Sequence, residues 1–144
     1  MTADDVVALL DLSPHPEGGY YRQTWADDGG TAIYFLLRAG HPSAWHRVHG
    51  RAEVWHFYAG DPLELTVDGR DRPGEPGEPG TSVGSAGDPN GESTTVLGAD
   101  LAAGQLPQAV VPAGWWQRAT TTGEWTLVGC TVAPPFTFDV FELA

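Results

Sequence analysis

The amino-acid sequence predicts an all-β protein that begins with one short helix. About ten short segments are rich in β-branched and aromatic residues, and Gly, Pro or Asp separates most of them from the next. Only the N-terminal segment has the apolar spacing of an amphipathic helix. The length of 144 residues is about the usual size of one domain. We therefore expect a single domain over residues 1–144, built as an antiparallel sandwich or barrel.

The helix is predicted for residues 3–11, ADDVVALLD. Thr2 precedes it as a candidate N-cap, and two acidic residues stand in its first turn. Its apolar residues Val6, Val7, Leu9 and Leu10 recur at the spacing of one helix face.

The predicted strands follow in chain order and share short length and aromatic or β-branched composition. They are YYRQTW, TAIYFLLR, SAWHRV, AEVWHFY, LELTV, TTVLG, QAVVP, WWQRAT, WTLVGCTV and FTFDVFEL. The segments TAIYFLLR and LVGCTV are apolar on both faces, which is typical of strands buried at the centre of packed sheets or under a partner subunit.

Residues 69–92, GRDRPGEPGEPGTSVGSAGDPNGE, differ in composition from the rest of the chain. They contain almost no large apolar side chains, and the repeat GEPGEPG is too short and irregular for collagen. We interpret this segment as a flexible Gly/Pro-rich loop inserted between two strands.

Charge and composition exclude several classes of partner. The formal net charge is −12, from 19 acidic and 7 basic residues, and no basic stripe is present for a phosphate backbone or an anionic membrane. The N-terminus lacks the cationic region of a signal peptide, and no apolar run approaches the roughly 20 residues of a membrane span. We expect a cytoplasmic protein. Its one cysteine, Cys130, lies in an apolar run and is interpreted as buried packing.

The segment PHPEGG, residues 14–19, places His15 and Glu17 in a rigid turn just before the first long strand. Two interpretations stay open. The turn delivers one of these side chains to a cavity, or their polar groups cap backbone groups of the turn itself.

The segment from Gly40 to Gly60 resembles the first sequence motif of the cupins. Five residues separate Gly40 from His46, and six separate Glu53 from Gly60. The stretch PAGWWQ resembles the second motif, with Gln117 in place of its histidine.

This resemblance implies a metal site that is reduced in this chain. The usual cupin set is three histidines and one glutamate. Here Val48 replaces the second histidine, and His49 follows it one place late, on the opposite face of a strand. A metal would have His46, Glu53 and Gln117 as ligands, with His49 only if the strand bends. We therefore expect no cofactor, and a divalent metal remains the alternative.

A closer resemblance covers nearly the whole chain. The strings PHPEGGYYR, TAIYFLL, WHRV, EVWHFYAGDPLEL, PQAVVPAGWW and LVGCTVAPPFTF are similar to a branch of small single-domain cupins defined as a domain of unknown function. The resemblance implies a jelly-roll barrel (a double-stranded β-helix), usually a homodimer, with a ligand-sized cavity. The branch is similar in shape to dTDP-4-dehydrorhamnose 3,5-epimerases, which work without metal.

His46 and Glu53 are the predicted catalytic residues, because an imidazole beside a carboxylate transfers protons near neutral pH. A buried structural role is the rival interpretation for each. The candidate substrate-binding residues are His15, Glu17, Arg22, Tyr34, Trp115 and Gln117.

The expected function is binding of a small molecule, with no nucleic acid or membrane partner. The favoured reaction is a metal-independent isomerisation or epimerisation of a polar, sugar-like metabolite, with His46 as base and Glu53 as its partner. One alternative is a metal-dependent, dioxygenase-like cupin. Another is a binding module without catalysis.

Overall fold

The structure is a computed structural model that describes residues 1–73 and 91–144. These two ranges contain one α-helix, eleven β-strands and two short 3₁₀-helices. The helix α1 spans Ala3–Leu10. The strands are β1 (Ser13–Pro14), β2 (Tyr20–Asp27), β3 (Gly30–Arg38), β4 (His46–Val48), β5 (Ala52–Gly60), β6 (Leu63–Asp68), β7 (Glu92–Leu97), β8 (Gln108–Val111), β9 (Trp116–Thr121), β10 (Trp125–Ala133) and β11 (Phe141–Leu143). The 3₁₀-helices span Leu101–Ala103 and Phe138–Val140.

The strands form two antiparallel sheets. The first has six strands in the order β1-β2-β3-β10-β5-β8, and the second has five in the order β11-β4-β9-β6-β7. Strands that are neighbours in space are often distant in sequence, as in the pairing of β10 with both β3 and β5. The predicted all-β architecture with one N-terminal helix is confirmed.

Helix α1 begins where the sequence predicts. The Thr2 side chain accepts a hydrogen bond from the Asp5 backbone N–H, and the Asp5 carboxylate accepts one from the Thr2 N–H. The helix ends at Leu10, one residue before the predicted end, and its C-cap Asp11 has a left-handed backbone that cannot continue the helix. Its Val6 packs with Leu36 on the outer face of β3. This packing explains why β3 is apolar on both faces, since the helix covers one face and the barrel interior the other.

The main core lies between the two sheets. Side chains alternate in and out along each strand, so that β3 contributes Phe35 and Leu37 and β5 contributes Trp55 to the interior. The buried members of this cluster are Phe35, Leu37, Trp55, Leu63, Leu65, Leu97, Val111, Ala119, Val128 and Cys130. Polar side chains take over the inward positions at one end, where His46 and Glu53 are buried.

Three local features differ from the sequence-based expectation. SAWHRV is a strand only over His46–Val48, and FTFDVFEL contains a 3₁₀-helix before its strand begins at Phe141. The short strand β1 was not predicted, because its two residues give no alternation to detect. Strands β6 and β7 flank the predicted loop 69–92, whose residues 74–90 lie outside the described residues. Within the described ranges, no helix is long and apolar enough to cross a membrane.

Candidate active site

A cavity of about 140 Å³ opens at the polar end of the space between the sheets. Its walls come from both sheets, from the PHPEGG turn and from the C-terminal segment. The lining residues are His15, Glu17, Tyr21, Gln23, Thr31, Ile33, His46, Val48, Glu53, Cys130, Val132, Phe136, Phe138 and Phe141.

The PHPEGG turn places His15 and Glu17 in the cavity wall. The His15 N–H donates to the Gly19 carbonyl and the Gly18 N–H to the His15 carbonyl, so the turn closes on itself. The Glu17 carbonyl also accepts a hydrogen bond from the Ala44 N–H at 2.7 Å, which ties the turn to the segment that leads into β4. His15 Nδ1 accepts from the Glu17 N–H at 3.1 Å. The His15 side chain therefore caps the backbone and lines the cavity at the same time.

Glu17 forms the closest ion pair of the cavity. Its Oε2 lies 2.6 Å from His46 Nε2, and both side chains are buried. His46 Nδ1 lies 2.8 Å from the Ala44 carbonyl oxygen, which can only accept, so Nδ1 carries a proton. Burial opposes a charge on His46, but the Glu17 carboxylate and its hydrogen bond outweigh it and raise the pKa of the imidazole. His46 is thus an imidazolium held between Ala44 and Glu17.

Glu53, on β5 of the six-stranded sheet, faces the same cavity as His46, which lies on β4 of the other sheet, and its environment differs from that of Glu17. Its Oε1 accepts a hydrogen bond from Gln117 Nε2 at 2.7 Å, and Gln117 Oε1 accepts one from Trp55 Nε1 at 2.8 Å. Trp55 thereby fixes which end of the amide faces Glu53. Burial and the nearby Glu17 charge raise the pKa of Glu53 to about 7, although His46 and Gln117 act in the opposite direction.

These environments give the cavity two carboxyl groups with different chemistry. Glu17 is a carboxylate paired with an imidazolium, whereas Glu53 exchanges its proton near neutral pH. Groups that differ in this way serve as base and acid in proton-transfer enzymes. The arrangement can take a proton from one ligand atom and supply one to another.

Four aromatic side chains also line the cavity, beside aliphatic ones such as Ile33 and Val132. Tyr21 from β2 meets the edge of the His15 ring at a centroid distance of 4.6 Å. Phe136, Phe138 and Phe141 contact one another edge-to-face at 5.1–6.0 Å. The Phe136 N–H donates to Thr31 Oγ1, which holds the C-terminal segment against β3. A ligand in the cavity would meet both carboxyl groups and aromatic side chains.

The structure places four of the predicted site residues in the cavity wall: His15, Glu17, His46 and Glu53. It pairs His46 with Glu17, whereas the sequence interpretation paired it with Glu53. Gln117 is buried behind Glu53, and both ends of its amide already have protein partners.

The other three candidates are not among the cavity-lining residues. Arg22 is exposed and donates to the Leu10 carbonyl, because it lies on the outer face of β2. Tyr34 packs near the helix on the outer face of β3. The Trp115 ring lies against Gly69 and the main core.

The four residues considered as metal ligands do not form a ligand set. His49 lies outside the barrel with its Nε2 on Glu142, and both nitrogens of His46 are engaged. The Gln117 oxygen accepts from Trp55. Among the described residues, no group of three or more His, Cys, Asp or Glu side chains is arranged to hold a metal ion. The donor geometry therefore does not fit a cupin metal centre.

Trp55 and Cys130 were missed as site residues. Trp55 is two positions from Glu53 on β5, so strand alternation alone places both on one face. Cys130 lies opposite Trp55 in the pairing of β10 with β5 and lines the cavity. The phenylalanines of the C-terminal segment had no comparable signal, because they reach the cavity through an irregular turn.

Comparisons with solved structures identify two close relatives. A protein from Shewanella oneidensis has 35% sequence identity and a TM-score of 0.82, with 100% of this chain and 85% of that one covered. A hypothetical protein from Leishmania major has 31% identity and a TM-score of 0.80, covering 100% of this chain and 88% of its own. Neither description states an activity.

A dTDP sugar isomerase from Desulfovibrio desulfuricans shares the fold, at 16% identity and a TM-score of 0.61 over 92% of this chain and 78% of that one. The comparison with curated proteins found no match. The family described as Cupin superfamily (DUF985) matches residues 4–144. The predicted resemblance is thus confirmed, and the chain belongs to this family of the cupin superfamily.

Proposed function

We propose that the cavity is the active site of a metal-independent isomerase or epimerase that acts on a small, polar, sugar-like carbonyl compound. The observation that carries this proposal is the pair of unlike carboxyl groups that face one cavity from different parts of the fold. Glu17 is held as a carboxylate by the His46 imidazolium, and the pKa of Glu53 is about 7. The fold shared with a sugar isomerase supports the reaction class as an analogy.

The proposed step is a proton transfer next to a carbonyl group. The Glu17 carboxylate takes the proton, the C–H electron pair forms a C=C bond, and the carbonyl π electrons move to oxygen. Glu53 in its acid form supplies the proton that this oxygen receives. When a proton returns to the other face of the same carbon, Glu53 takes the O–H proton back, the carbonyl re-forms at its original position and the product is an epimer. When the proton goes instead to the former carbonyl carbon, the hydroxyl on the neighbouring carbon gives its proton to Glu53 and becomes the new carbonyl, and the product is an isomer. No electrons leave or enter, so the step needs no redox partner.

In this scheme His46 is a positioning residue for Glu17. Its two ring nitrogens hold the Ala44 carbonyl and the Glu17 carboxylate, so the ring has no free nitrogen in this arrangement. Gln117 is likewise a positioning residue for Glu53, and Trp55 orients the Gln117 amide. The sequence-based assignment of His46 as the base is therefore replaced in our proposal by Glu17.

Deuterium exchange tests the reaction without knowledge of the product. The protein is incubated in D₂O with a panel of aldoses and ketoses, and loss of the C–H signal next to the carbonyl is followed by NMR. We expect exchange well above the buffer rate for at least one compound. Glu17→Gln and Glu53→Gln should each lower the rate by about 100-fold or more, the usual contribution of an acid or base.

Glu142→Gln is the matched control. It makes the same isosteric change in a second histidine–glutamate pair, His49–Glu142, which is outside the cavity wall. Its exchange rate should stay close to that of the unmodified protein. Equal effects of all three substitutions would contradict the proposal. Binding of a panel member without any exchange would favour a non-catalytic binding module.

A further inference from the structure

The cavity contains carboxyl groups but no arginine or lysine. The chain has seven basic residues, all of them arginines, and all lie in the part of the chain that the structure describes. None of these arginines lines the cavity: Arg22, Arg38, Arg47, Arg51, Arg70, Arg72 and Arg118. Residues 74–90, outside that part, contain neither Arg nor Lys. The chain therefore supplies no guanidinium or ammonium group to a ligand in this cavity.

Several arginines are held elsewhere by specific partners. Arg38 pairs with Asp4 on the outside of the barrel, and Arg70 pairs with buried Asp68 at the end of β6. The Arg47 guanidinium lies over the Trp116 ring and contacts Glu142. Recruitment of these groups by a ligand in the cavity would require breaking contacts on other faces of the fold.

The two histidines of the cavity do not replace an arginine. The charge of His46 is matched by Glu17 at 2.6 Å. His15 accepts a hydrogen bond at Nδ1, so that nitrogen has no proton. Burial also lowers the pKa of His15. The cavity thus has no uncompensated positive charge, and it gains a negative charge when Glu53 ionises.

A phosphate or carboxylate in this cavity would lie beside Glu17 and Glu53 with no cation to balance it. Like charges repel more strongly in a buried site than in water, because the low local dielectric and the absence of salt leave the interaction unscreened. Anion sites in proteins instead use arginine, lysine or a helix N-terminus. The aromatic wall of Tyr21 and three phenylalanines favours an uncharged ligand with apolar C–H faces.

We infer that the ligand of this cavity is an uncharged hydroxylated carbonyl compound that carries neither phosphate nor carboxylate. The carbonyl group in this description rests on the proposed proton-transfer function, whereas the absence of charge rests on the cavity walls alone. A cavity of about 150 Å³ holds benzene in another protein, so a compound of about six heavy atoms fits in the 140 Å³ of this one. A free triose has this size, and a free pentose would extend towards the opening of the cavity.

Matched pairs that differ only in charge test this ligand class. The probes are dihydroxyacetone, D-ribose and D-xylulose, each compared with its monophosphate. Dissociation constants are measured with the full chain by NMR chemical-shift titration at pH 7. We expect at least one free sugar to bind, and each sugar that binds to do so more than tenfold tighter than its phosphate.

Gln23→Arg provides the positive control. Gln23 lines the cavity and is exposed at one side, so an arginine there adds a cation without filling the core. The variant should bind the phosphates more tightly than the free sugars. Gln108→Arg adds the same charge on β8, outside the cavity wall, and should keep the preference of the unmodified protein. Circular dichroism and thermal unfolding check that both variants fold.

The inference is overturned if a phosphate binds as tightly as its free sugar in the unmodified protein, or if no free sugar binds. The first result would point to a cation from another source, such as a second copy of the chain. Binding of free sugars without deuterium exchange would leave the ligand class intact and contradict the proposed reaction. The two failures are therefore distinguishable.

Discussion

At the scale of single residues, two histidine–glutamate pairs show how burial changes the same chemistry. His46 and Glu17 are enclosed in the cavity wall, whereas His49 and Glu142 lie on the surface, with side chains 49% and 42% exposed. Water screens the outer pair, which contributes little to stability or reactivity. The inner pair sets the charge of the cavity, because the imidazolium is the counter-ion of the Glu17 carboxylate.

Removal of the Glu17 charge should change the titration of His46. In Glu17→Gln the partner that favours the imidazolium is lost, while burial continues to oppose it. We expect the pKa of His46 to fall below its ordinary value of 6.5. A ¹⁵N NMR titration of the histidine rings measures this change. In the control Glu142→Gln, the pKa of His46 should be the same as in the unmodified protein. A His46 pKa that stays raised in Glu17→Gln would show that another group holds the charge.

Glu53 should make the protein less stable as the pH rises. Its pKa is 4.5 in an ordinary environment and about 7 in the fold, so the folded state binds more protons between these values. The contribution of Glu53 to the free energy of unfolding is therefore fully present below pH 4.5, and it is lost as the pH rises to about 7. Glu53→Gln should remove this loss, a difference on the order of 3 kcal/mol for a shift of this size.

Urea unfolding at several pH values measures the effect. Glu142 gives a contrast of opposite sign, because its hydrogen bond with Arg47 lowers its pKa. Its contribution is present above the ordinary pKa and is lost as the pH falls. A pH profile that is the same for Glu53→Gln and the unmodified protein would contradict the raised pKa.

At the scale of elements, the PHPEGG turn depends on glycine for its shape. Gly19 has a φ of +76°, and a Cβ there would meet the Leu36 carbonyl oxygen at 2.7 Å and the Phe35 ring at 2.9 Å. Leu36 and Phe35 belong to the central strand β3 and cannot shift easily. The turn that carries Glu17 therefore packs directly against β3 at Gly19.

Gly19→Ala should destabilise the fold and reduce deuterium exchange together. The left-handed backbone alone costs about 1–3 kcal/mol for a residue with a side chain, and the contacts with β3 add to it. Gly40→Ala is the matched control, because Gly40 has φ +77° with nothing within 4 Å of the added Cβ. Urea unfolding compares the two. Equal losses of stability would show that the contact with β3 is unimportant.

The inserted segment between β6 and β7 should be dispensable for folding. Its composition offers little apolar surface for burial, and the entropy of loop closure depends only weakly on length. The replacement should cover residues 74–90 and keep both ends, because Arg70 pairs with Asp68 and Trp116 Nε1 donates to the Asp71 carbonyl. A short Gly-Ser linker should change the free energy of unfolding by less than about 1 kcal/mol. A loss of several kcal/mol in urea unfolding would show that the segment packs on the barrel.

At the scale of the whole molecule, we expect a homodimer. The outer face of the six-stranded sheet presents exposed apolar groups near β5 and β8, with Tyr58 52% and Val110 60% exposed. His56 on the same face bonds to Thr131 and Gln108, so its polar groups are already engaged. A two-fold contact through the VWHFY strand or the N-terminal strand would cover such a face.

Light scattering at micromolar concentration measures the mass directly. The unmodified protein should have twice the mass of the chain, and Tyr58→Asp with Val110→Asp should give a folded monomer if the VWHFY strand forms the contact. Dimers that survive this double substitution would place the contact on the N-terminal strand. A monomer in the unmodified protein would contradict the prediction.

Much of the fold follows from local sequence signals. The capping residues of α1, the two-residue period of the strands and the separating glycines and prolines each act over a few neighbouring residues. The motif around His46 and Glu53 likewise carries enough local pattern to select both side chains. Local patterns do not identify the residue that each side chain contacts, because strand alternation predicts which face a side chain is on and not which residue lies opposite it.

The sequence by itself determined the all-β class, the N-terminal helix, the cupin relationship and the choice of His46 and Glu53 as candidate site residues. Only the tertiary structure decided that Glu17 rather than Glu53 pairs with His46, that Trp55 and Gln117 hold Glu53, and that every arginine lies outside the cavity wall. The reason is physical. The pattern along one strand depends on residues that are a few positions apart. Hydrogen bonds and charges instead join segments that are distant in sequence, such as Glu17 and His46, 29 residues apart, and Glu53 and Gln117, 64 residues apart.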